Sequence, residues 1–472
     1  MKYPSLFAYI KKNDIFFISL FPIVLWFLFF GNKLIYEPYI WDDLHFFRNY
    51  SISELLFTWV GNWDPDNIET PSYRPIAVLY YHITYIFFNE NTVYFRIFLI
   101  LLIFLLLYIL NNFLLFLKFK KKEILIFSFL ITFSKIFTTL VSWFTISVLI
   151  VCYIFALSSA FMFIKYLEKK NIFLYALSFF FGCLAVFIRE ELYILPGILF
   201  FTYFLKFELN RKNIFLDFVK LFPFFFITLS HMYLRKKYIP EADHFGVNNF
   251  TLTFGDNILG LGGVIKVIKS SFLPMGYLSS QYSDNLQIIY SLLWMLLISI
   301  GIIFALINFS NSKKNLKRNT VLFFLVLICS IPHIAIARSF GIFLPSIFAI
   351  LMISNLINYL FNVSKKNINP KFLILKFVSL SILIIGILGG AYRSNEHIKS
   401  MSQFSNYIVY YDNEFIYGYK QRGYNLSIPK KRYLKKKEHL LNLNILEFKQ
   451  DLKKINSSSK KIKKSKYDPL WF

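Results

Sequence analysis

Residues 93–117 read VYFRIFLILLIFLLLYILNNFLLFL, and this stretch decides the class of fold. A helix that crosses a membrane needs about 20 largely apolar residues. Ten further stretches have the same character: 15–31, 123–140, 143–164, 172–188, 191–205, 214–234, 288–309, 320–337, 340–361 and 372–391. The sequence therefore predicts an all-α polytopic membrane protein with about 11 transmembrane helices.

The composition of the chain agrees with this class. Of 472 residues, 57% are hydrophobic and 17% are charged, whereas soluble globular chains are about 45–50% apolar and about 25% charged. These values exclude a soluble enzyme, a disordered protein and a fibrous repeat. Cys152, Cys183 and Cys329 all lie in apolar stretches, which argues against a disulfide framework or a zinc site.

One share of the net charge of +26 lies in short loops between spans, and another lies in the tail after residue 391. If the 14-residue apolar stretch 75–88 does not span, five basic loops fall on the same side as the amino terminus. They are Lys118–Lys122, Lys165–Lys170, Lys206–Lys212, Lys313–Arg318 and Lys365–Lys371. Short basic loops face the cytoplasm, so we predict a cytoplasmic amino terminus and no nucleic-acid partner. Residues 75–88 then form a juxtamembrane or re-entrant helix at the outer face, beginning at Pro75.

We expect two regions. Residues 1–391 form the transmembrane domain, with a first outer loop at 32–92 and a second large one at 235–287. The tail 392–472 holds 18 Lys and Arg against 7 Asp and Glu, yet we place it outside, because the charge bias acts mainly on short loops. Leu440, Leu443 and Leu446 predict a short amphipathic helix in the tail, and its end is expected to be disordered.

Charged groups at the ends of spans are costly to keep, which makes them candidate functional residues. Asp42 and Asp43 follow the first span, and two adjacent carboxylates can raise one pKa and produce a base. Either one can equally cap a helix. Tyr73 and Arg74 precede Pro75, and Arg74 either binds a phosphate or reaches lipid headgroups.

Two further clusters lie on the same predicted face. Arg189, Glu190 and Glu191 form a charged turn that is either a local ion pair or a holder for an anionic ligand. Arg338, with His333 one turn before it, is an interface anchor or a ligand-binding residue. None of the clusters has metal-ligand spacing, so we assign no cofactor, and a divalent metal has no support in the sequence.

In order and spacing, the four clusters together resemble the GT-C superfamily of membrane glycosyltransferases. The nearest pattern is the protein O-mannosyltransferase-like branch typified by the transmembrane and tetratricopeptide-repeat O-mannosyltransferases. The resemblance is carried by Tyr39–Asp43, Ser72–Pro75, Arg189–Glu190 with Pro196, and Arg338 with Leu344–Ser346. Arg189 stands where that branch usually has lysine, and no tetratricopeptide repeats are present.

The resemblance implies a GT-C-like bundle and a glycosyltransferase of the bacterial cytoplasmic membrane. Such an enzyme moves a sugar from a polyprenyl-phosphate donor to a hydroxyl acceptor at the outer face, with inversion. The acceptor is a protein, a lipid or an envelope glycan. The roles carried over are a general base at Asp42 or Asp43, donor-phosphate binding by Arg338, Arg189 and Arg74, and orientation by Glu190, Glu191, His333 and Tyr73.

Two other classes of function fit the same sequence. A transporter or flippase of lipid-linked saccharides would have broken helices and charges halfway along several spans. A non-catalytic scaffold would use its basic tail to bind acidic envelope polymers.

Overall fold

The fold is helical throughout the part of the chain that the computed structural model describes. The described residues are 14–35, 46–64, 72–89, 91–208, 214–239, 260–273, 285–307, 313–334, 339–366 and 370–421. They are 87% helical and contain no strand, which confirms the all-α class. Asp42, Asp43, Arg338 and the proposed amphipathic helix of the tail lie outside these residues.

The helices follow one another with short connections. In chain order they are α1 (Asp14–Trp26), α2 (Ile52–Phe57), α3 (Pro75–Phe88), α4 (Thr92–Phe116), α5 (Lys121–Thr132), α6 (Lys135–Ser142), α7 (Ser147–Lys169), α8 (Ile172–Ile188), α9 (Leu195–Lys206), α10 (Ile214–Val219), α11 (Phe222–Tyr238), α12 (Gly260–Ser271), α13 (Asn285–Ile307), α14 (Lys313–Ser330), α15 (Phe343–Lys366) and α16 (Pro370–Gln421). A π-helical turn, Phe27–Gly31, and a last turn, Asn32–Leu34, extend α1. Three 3₁₀ turns occupy Glu190–Ile194, Ile331–Ile334 and Ser339–Ile342.

Seven helical segments of the described chain are long and apolar enough to cross a membrane, or eight if the bent pair α5–α6 is one span. The chain is therefore a multi-pass membrane protein. The predicted count of about 11 spans is not confirmed. The apolar helix α8 has 17 residues and α9 has 12, so both are shorter than the about 20 residues that a span needs.

The predicted span 123–140 is not one straight helix. The chain bends by 58° between α5 and α6. Ser134 begins α6 as its N-cap, and its Oγ accepts a hydrogen bond from the backbone N–H of Phe137 at 3.3 Å. Serine is favoured at this position because its side chain satisfies a backbone N–H that has no partner in the first turn. Every residue of α6 is buried.

Helix α3 begins and ends where the sequence predicts. Pro75 lies in its first turn and Arg74 is its N-cap residue. Proline fits there because its missing N–H is not needed in the first turn. Its 14 residues extend only about 21 Å, at about 1.5 Å per residue, against a hydrocarbon core of about 30 Å. Helix α3 packs against α4 and α8.

The last helix is longer than predicted. We expected the final span to end at Ala391, but α16 continues without a break to Gln421 and contains 52 residues. Its middle part packs against α6. The contact is close at Gly390, where a Cβ atom would lie 2.5 Å from the carbonyl oxygen of Phe133.

Contacts between loops define one end of the bundle, which we call the basic end. They bring together four of the five predicted basic loops. The contacts are Lys121 with Asp14, Arg318 with Glu123 and the Lys118 carbonyl, Lys206 with Glu168 and the Phe116 carbonyl, and Lys317 with the Phe207 carbonyl. Helix α8 leads away from this end over about 25 Å, at about 1.5 Å per residue, and it ends immediately before Arg189.

Candidate functional site

Two clusters that the sequence predicts separately meet at Arg74. Its Nε donates a hydrogen bond to Oε2 of Glu190 at 2.6 Å, across 116 residues of chain. Both residues are buried, with 9% and 6% of their surface exposed. The guanidinium carbon of Arg74 also lies 4.7 Å from the ring centre of Trp63. The terminal Nη nitrogens of Arg74 make no hydrogen bond to any residue that the structure describes, so they remain available to a ligand.

Glu190 is a fixed anion. It opens the 3₁₀ turn Glu190–Ile194. Burial alone would raise the pKa of its carboxyl group, but the charge of Arg74 and the hydrogen bond from Arg74 outweigh burial and lower the pKa to about 2. Within the described part of the chain, its second oxygen, Oε1, has no hydrogen-bond partner. Glu190 therefore positions Arg74 and does not donate a proton near neutral pH.

Arg189 forms an ion pair with a different carboxylate, that of Glu191. Its Nη2 lies 2.9 Å from Oε1 of Glu191, and their side chains are 8% and 23% exposed. Burial lowers the pKa of Arg189, but the carboxylates of Glu191 and Glu190 together raise it above its ordinary value. Each arginine is thus paired with one carboxylate. The formal charges of these four residues cancel, so the cluster stays ionised without a large net charge.

An aromatic wall from α11 and the neighbouring turns closes one side of this cluster. The Tyr73 hydroxyl donates a hydrogen bond to the Trp59 carbonyl at 2.9 Å. The Tyr73 ring stacks on Tyr238, with 6.1 Å between ring centres, and lies 5.2 Å from the ring of His231. Nδ1 of His231 is 2.7 Å from the Tyr193 hydroxyl. Tyr73 therefore holds the aromatic packing beside Arg74.

Sequence reasoning missed His231. This residue is fully buried in α11 and lies inside the predicted span 214–234. An ionisable residue within a span is a candidate functional residue by default, and that rule would have found it. From the sequence, an orienting role is predicted for His333 and none for His231. His333 belongs to the turn Ile331–Ile334, and its side chain lies outside the described part of the structure.

Described residues that neighbour Asp42, Asp43 and Arg338 in sequence contact the residues around this cluster. Asp42, Asp43 and Arg338 lie outside the described residues. Phe46, three residues after Asp43, stacks on Trp63 with 4.4 Å between ring centres, and Trp63 contacts Arg74. The turn Ile331–Ile334, which precedes the segment containing Arg338, packs against Glu190–Ile194.

One buried lysine was also missed. Lys135, the first residue of α6, is 8% exposed. The prediction of a continuous span over 123–140 drew attention away from it. Among the described residues, no three His, Cys, Asp or Glu side chains are placed to hold a metal ion.

Fold and site together define a polytopic helical membrane protein with a buried arginine–carboxylate cluster at the end of α8 that lies away from the basic end. Comparison with known proteins adds no relative: no family model, no curated protein and no solved structure matches the chain.

Proposed function

We propose that this protein is an integral-membrane glycosyltransferase that moves a sugar from a polyprenyl-phosphate donor to a hydroxyl acceptor on a protein, a lipid or an envelope glycan. One observation supports this proposal above the others. Two buried arginines, from clusters predicted separately, assemble with two carboxylates away from the basic end. A glycosyl donor of this kind releases a phosphate, and preorganised arginines stabilise developing negative charge in a partly dry site.

The reaction needs a base and an anion-binding group. The acceptor oxygen forms a bond to the anomeric carbon while the bond from that carbon to the phosphate oxygen breaks, with inversion. The electron pair of the broken bond stays on the phosphate, which needs no proton donor. The acceptor proton passes to Asp42 or Asp43. A pair of carboxylates of the glycosidase type is therefore not required.

The geometry favours different roles for the three arginines. Glu190 accepts a hydrogen bond from Nε of Arg74. The Nη nitrogens of Arg74 can therefore bind the phosphate. Glu191 instead accepts a hydrogen bond from a terminal nitrogen of Arg189, Nη2. Because these four charges cancel formally, further positive charge is needed to hold a phosphate. Arg338, which follows the turn Ile331–Ile334 in sequence, remains the first candidate to supply it.

The proposed orientation follows from the basic end. Short loops rich in Lys and Arg face the cytoplasm, and four of the predicted basic loops meet at that end through direct contacts. The Arg74 cluster then faces outward, where a lipid-linked donor and an envelope acceptor meet. The proposed location is the bacterial cytoplasmic membrane, with the amino terminus inside.

The test is mass spectrometry of envelope glycans and glycoproteins from cells with and without this protein. We expect one sugar modification to disappear and to return with the unaltered gene. At least one of Asp42→Asn and Asp43→Asn should fail to restore it at normal protein level. Asp14→Asn, at the basic end, is the matched control and should restore it. Restoration by both of the first two variants would refute the assignment of the base.

A transporter of lipid-linked saccharides is the second candidate. The bend between α5 and α6 favours it, because transporters often use broken helices. In cells that lack such a transporter, the intact lipid-linked saccharide would accumulate at the inner leaflet. Cells that lack a transferase would instead accumulate it at the outer leaflet.

A further inference from the structure

A second group of basic side chains lies where α6 packs against α16. We call Lys135, Arg393 and His397 the Lys135 cluster. Lys135 and His397 are 8% and 6% exposed. Arg393 is close enough to Lys135 for their charges to interact, and both charges act on His397. His397 is anchored by a 3.0 Å hydrogen bond between its Nε2 and the hydroxyl of Ser142.

The Lys135 cluster differs from the Arg74 cluster because Lys135 has no carboxylate partner among the described residues. Within the described residues, Nζ of Lys135 makes no hydrogen bond and no ion pair, and no acidic group interacts electrostatically with Lys135 or His397. A buried charge is costly unless it is paired. A bound anion would therefore stabilise the charged form of Lys135, whose side chain is more than nine-tenths buried and has no acidic partner among the described residues.

The backbone at the bend favours an anion at the same place. Helix α6 begins at Lys135, directly after its N-cap Ser134. The first backbone N–H groups of a helix carry partial positive charge and bind phosphate groups well. The close approach at Gly390 brings α16 against this turn, where Ser394 hydrogen-bonds to Thr138 at 2.8 Å. Arg393 and His397 lie about one and two helical turns beyond Gly390, on the same side of α16.

The cluster lies at the end of the bundle away from the basic loops. Arg393 is about 35 Å along α16 from Pro370, at about 1.5 Å per residue. Asn395, between Arg393 and His397 in sequence, accepts a 2.7 Å hydrogen bond from Lys33, just after the first span. Helix α6 also packs against Ser339–Ile342, which directly follows Arg338.

We propose that the Lys135 cluster binds the phosphate group of a polyprenyl monophosphate. The anion is inferred from Lys135, which is unpartnered among the described residues, and from the start of α6, and only the choice of a polyprenyl chain rests on the proposed function. A phosphate held there would lie near two described parts of the chain: the turn Ser339–Ile342, which follows Arg338 in sequence, and Lys33, which precedes Asp42 and Asp43 in sequence. Lys135, held in its charged form by the phosphate, would thus add positive charge at the same end of the bundle as the neutralised Arg74 cluster.

Binding of farnesyl monophosphate to the purified full-length protein in detergent tests this proposal, with farnesol and inorganic phosphate as the other two probes. We expect farnesyl monophosphate to bind and Lys135→Met to weaken binding by about tenfold or more, because a charged hydrogen bond is lost. Lys135→Arg should retain binding. Lys121→Met, which removes the same charge from an exposed ion pair in α5, should bind as the unaltered protein does.

The melting temperature of each variant without ligand shows whether a loss of binding comes from poor folding. Lys135→Met should melt at the same temperature as the unaltered protein or higher, because it removes an unpaired buried charge. A lower melting temperature together with unchanged affinity would overturn the proposal.

The probes and the transfer assay separate the outcomes. Equal binding of inorganic phosphate, with the same dependence on Lys135, would assign the site to free phosphate and overturn the lipid assignment. Equal binding of farnesol, or affinity unchanged by Lys135→Met, would overturn the phosphate site and leave the proposed transferase standing. Binding that depends on Lys135, in a protein that transfers no sugar, would support the site and overturn the transferase.

Discussion

Arg74 and Glu190 show how this protein keeps charge in an apolar interior. Each residue would be costly to bury alone, but at 2.6 Å the pair replaces much of the hydration that burial removes. Attraction between the two charges is strong because little water screens it. Glu191 does the same for Arg189. Arginines held in this way cannot rotate freely, so a ligand meets donors that are already in position.

Replacing one member of this pair should lower the free energy of unfolding strongly, because the other member is then left buried without its partner. Arg74→Met or Glu190→Gln alone should lower the free energy of unfolding by about 3–5 kcal/mol, because each leaves an uncompensated buried charge. In the double variant, the free energy of unfolding should fall by clearly less than the sum of the two single losses. Unfolding of the purified proteins in detergent measures this coupling. Lys121→Met, whose ion pair is 53% and 27% exposed, should cost about 0–1 kcal/mol. Strict additivity would contradict the coupling.

The pair should also be insensitive to pH near neutrality. Burial opposes ionisation of Glu190, but Arg74 overcomes it and lowers the pKa from 4.5 to about 2. A carboxyl group whose pKa falls on folding stabilises the protein above its unfolded pKa, and this stabilisation is lost as the pH falls towards the folded pKa. The difference in melting temperature between the unaltered protein and Glu190→Gln should stay constant from about pH 8 to about pH 5.5 and shrink below about pH 4.5. A difference that already shrinks between pH 7 and pH 6 would contradict this.

The sequence predicts single elements well where one residue decides the outcome. Pro75 determined the start of α3, because proline belongs in a first turn and the residue before proline avoids helical geometry. The bend after α5 could not be predicted, because Ser134 resembles any other serine within an apolar stretch. In the structure Ser134 caps α6 through its hydrogen bond with the Phe137 N–H, and α16 packs against the same turn.

Gly390 should be essential for that packing. A Cβ atom at this position would come 2.5 Å from a backbone oxygen of Phe133, and a backbone atom in a packed core cannot move aside easily. Gly390→Ala should therefore lower the free energy of unfolding by about 1–3 kcal/mol despite the higher helix propensity of alanine. Gly301→Ala is the matched control, because its Cβ would meet side chains and no backbone atom, the nearest being that of Leu360 at 3.1 Å. Equal stability of the two variants would contradict the close packing.

The whole molecule has two chemically different ends. The basic end joins loops through lysines, arginines and backbone carbonyls. The other end holds the Arg74 cluster. The sequence predicted the basic loops and the residues of the arginine–carboxylate cluster, because charges stand out against apolar spans. It could not predict which charges pair, since Arg74 and Glu190 are 116 residues apart and only the packing of α3 against α8 joins them.

Cysteine labelling can test the orientation of these two ends. In a Cys183→Ala background, Asn89→Cys should react with a membrane-impermeant maleimide added to intact cells, because Asn89 is exposed beyond the end of α3. Lys169→Cys, exposed at the end of α7, should react only after the membrane is opened. The reverse pattern would contradict the proposed topology. Labelling of both positions in intact cells would mean that the two ends do not face opposite sides.

Reconstitution tests the proposed glycosyl transfer most directly. Liposomes containing the purified protein would be supplied with polyprenyl-phosphate sugars and host envelope extract, and free polyprenyl phosphate would be measured with the sidedness of the lipid. The proposed function predicts that free polyprenyl phosphate appears as the sugar reaches an acceptor, and that Arg74→Met reduces this release. Passage of the intact lipid-linked sugar across the bilayer, with no polyprenyl phosphate released, would contradict the transferase and favour a transporter.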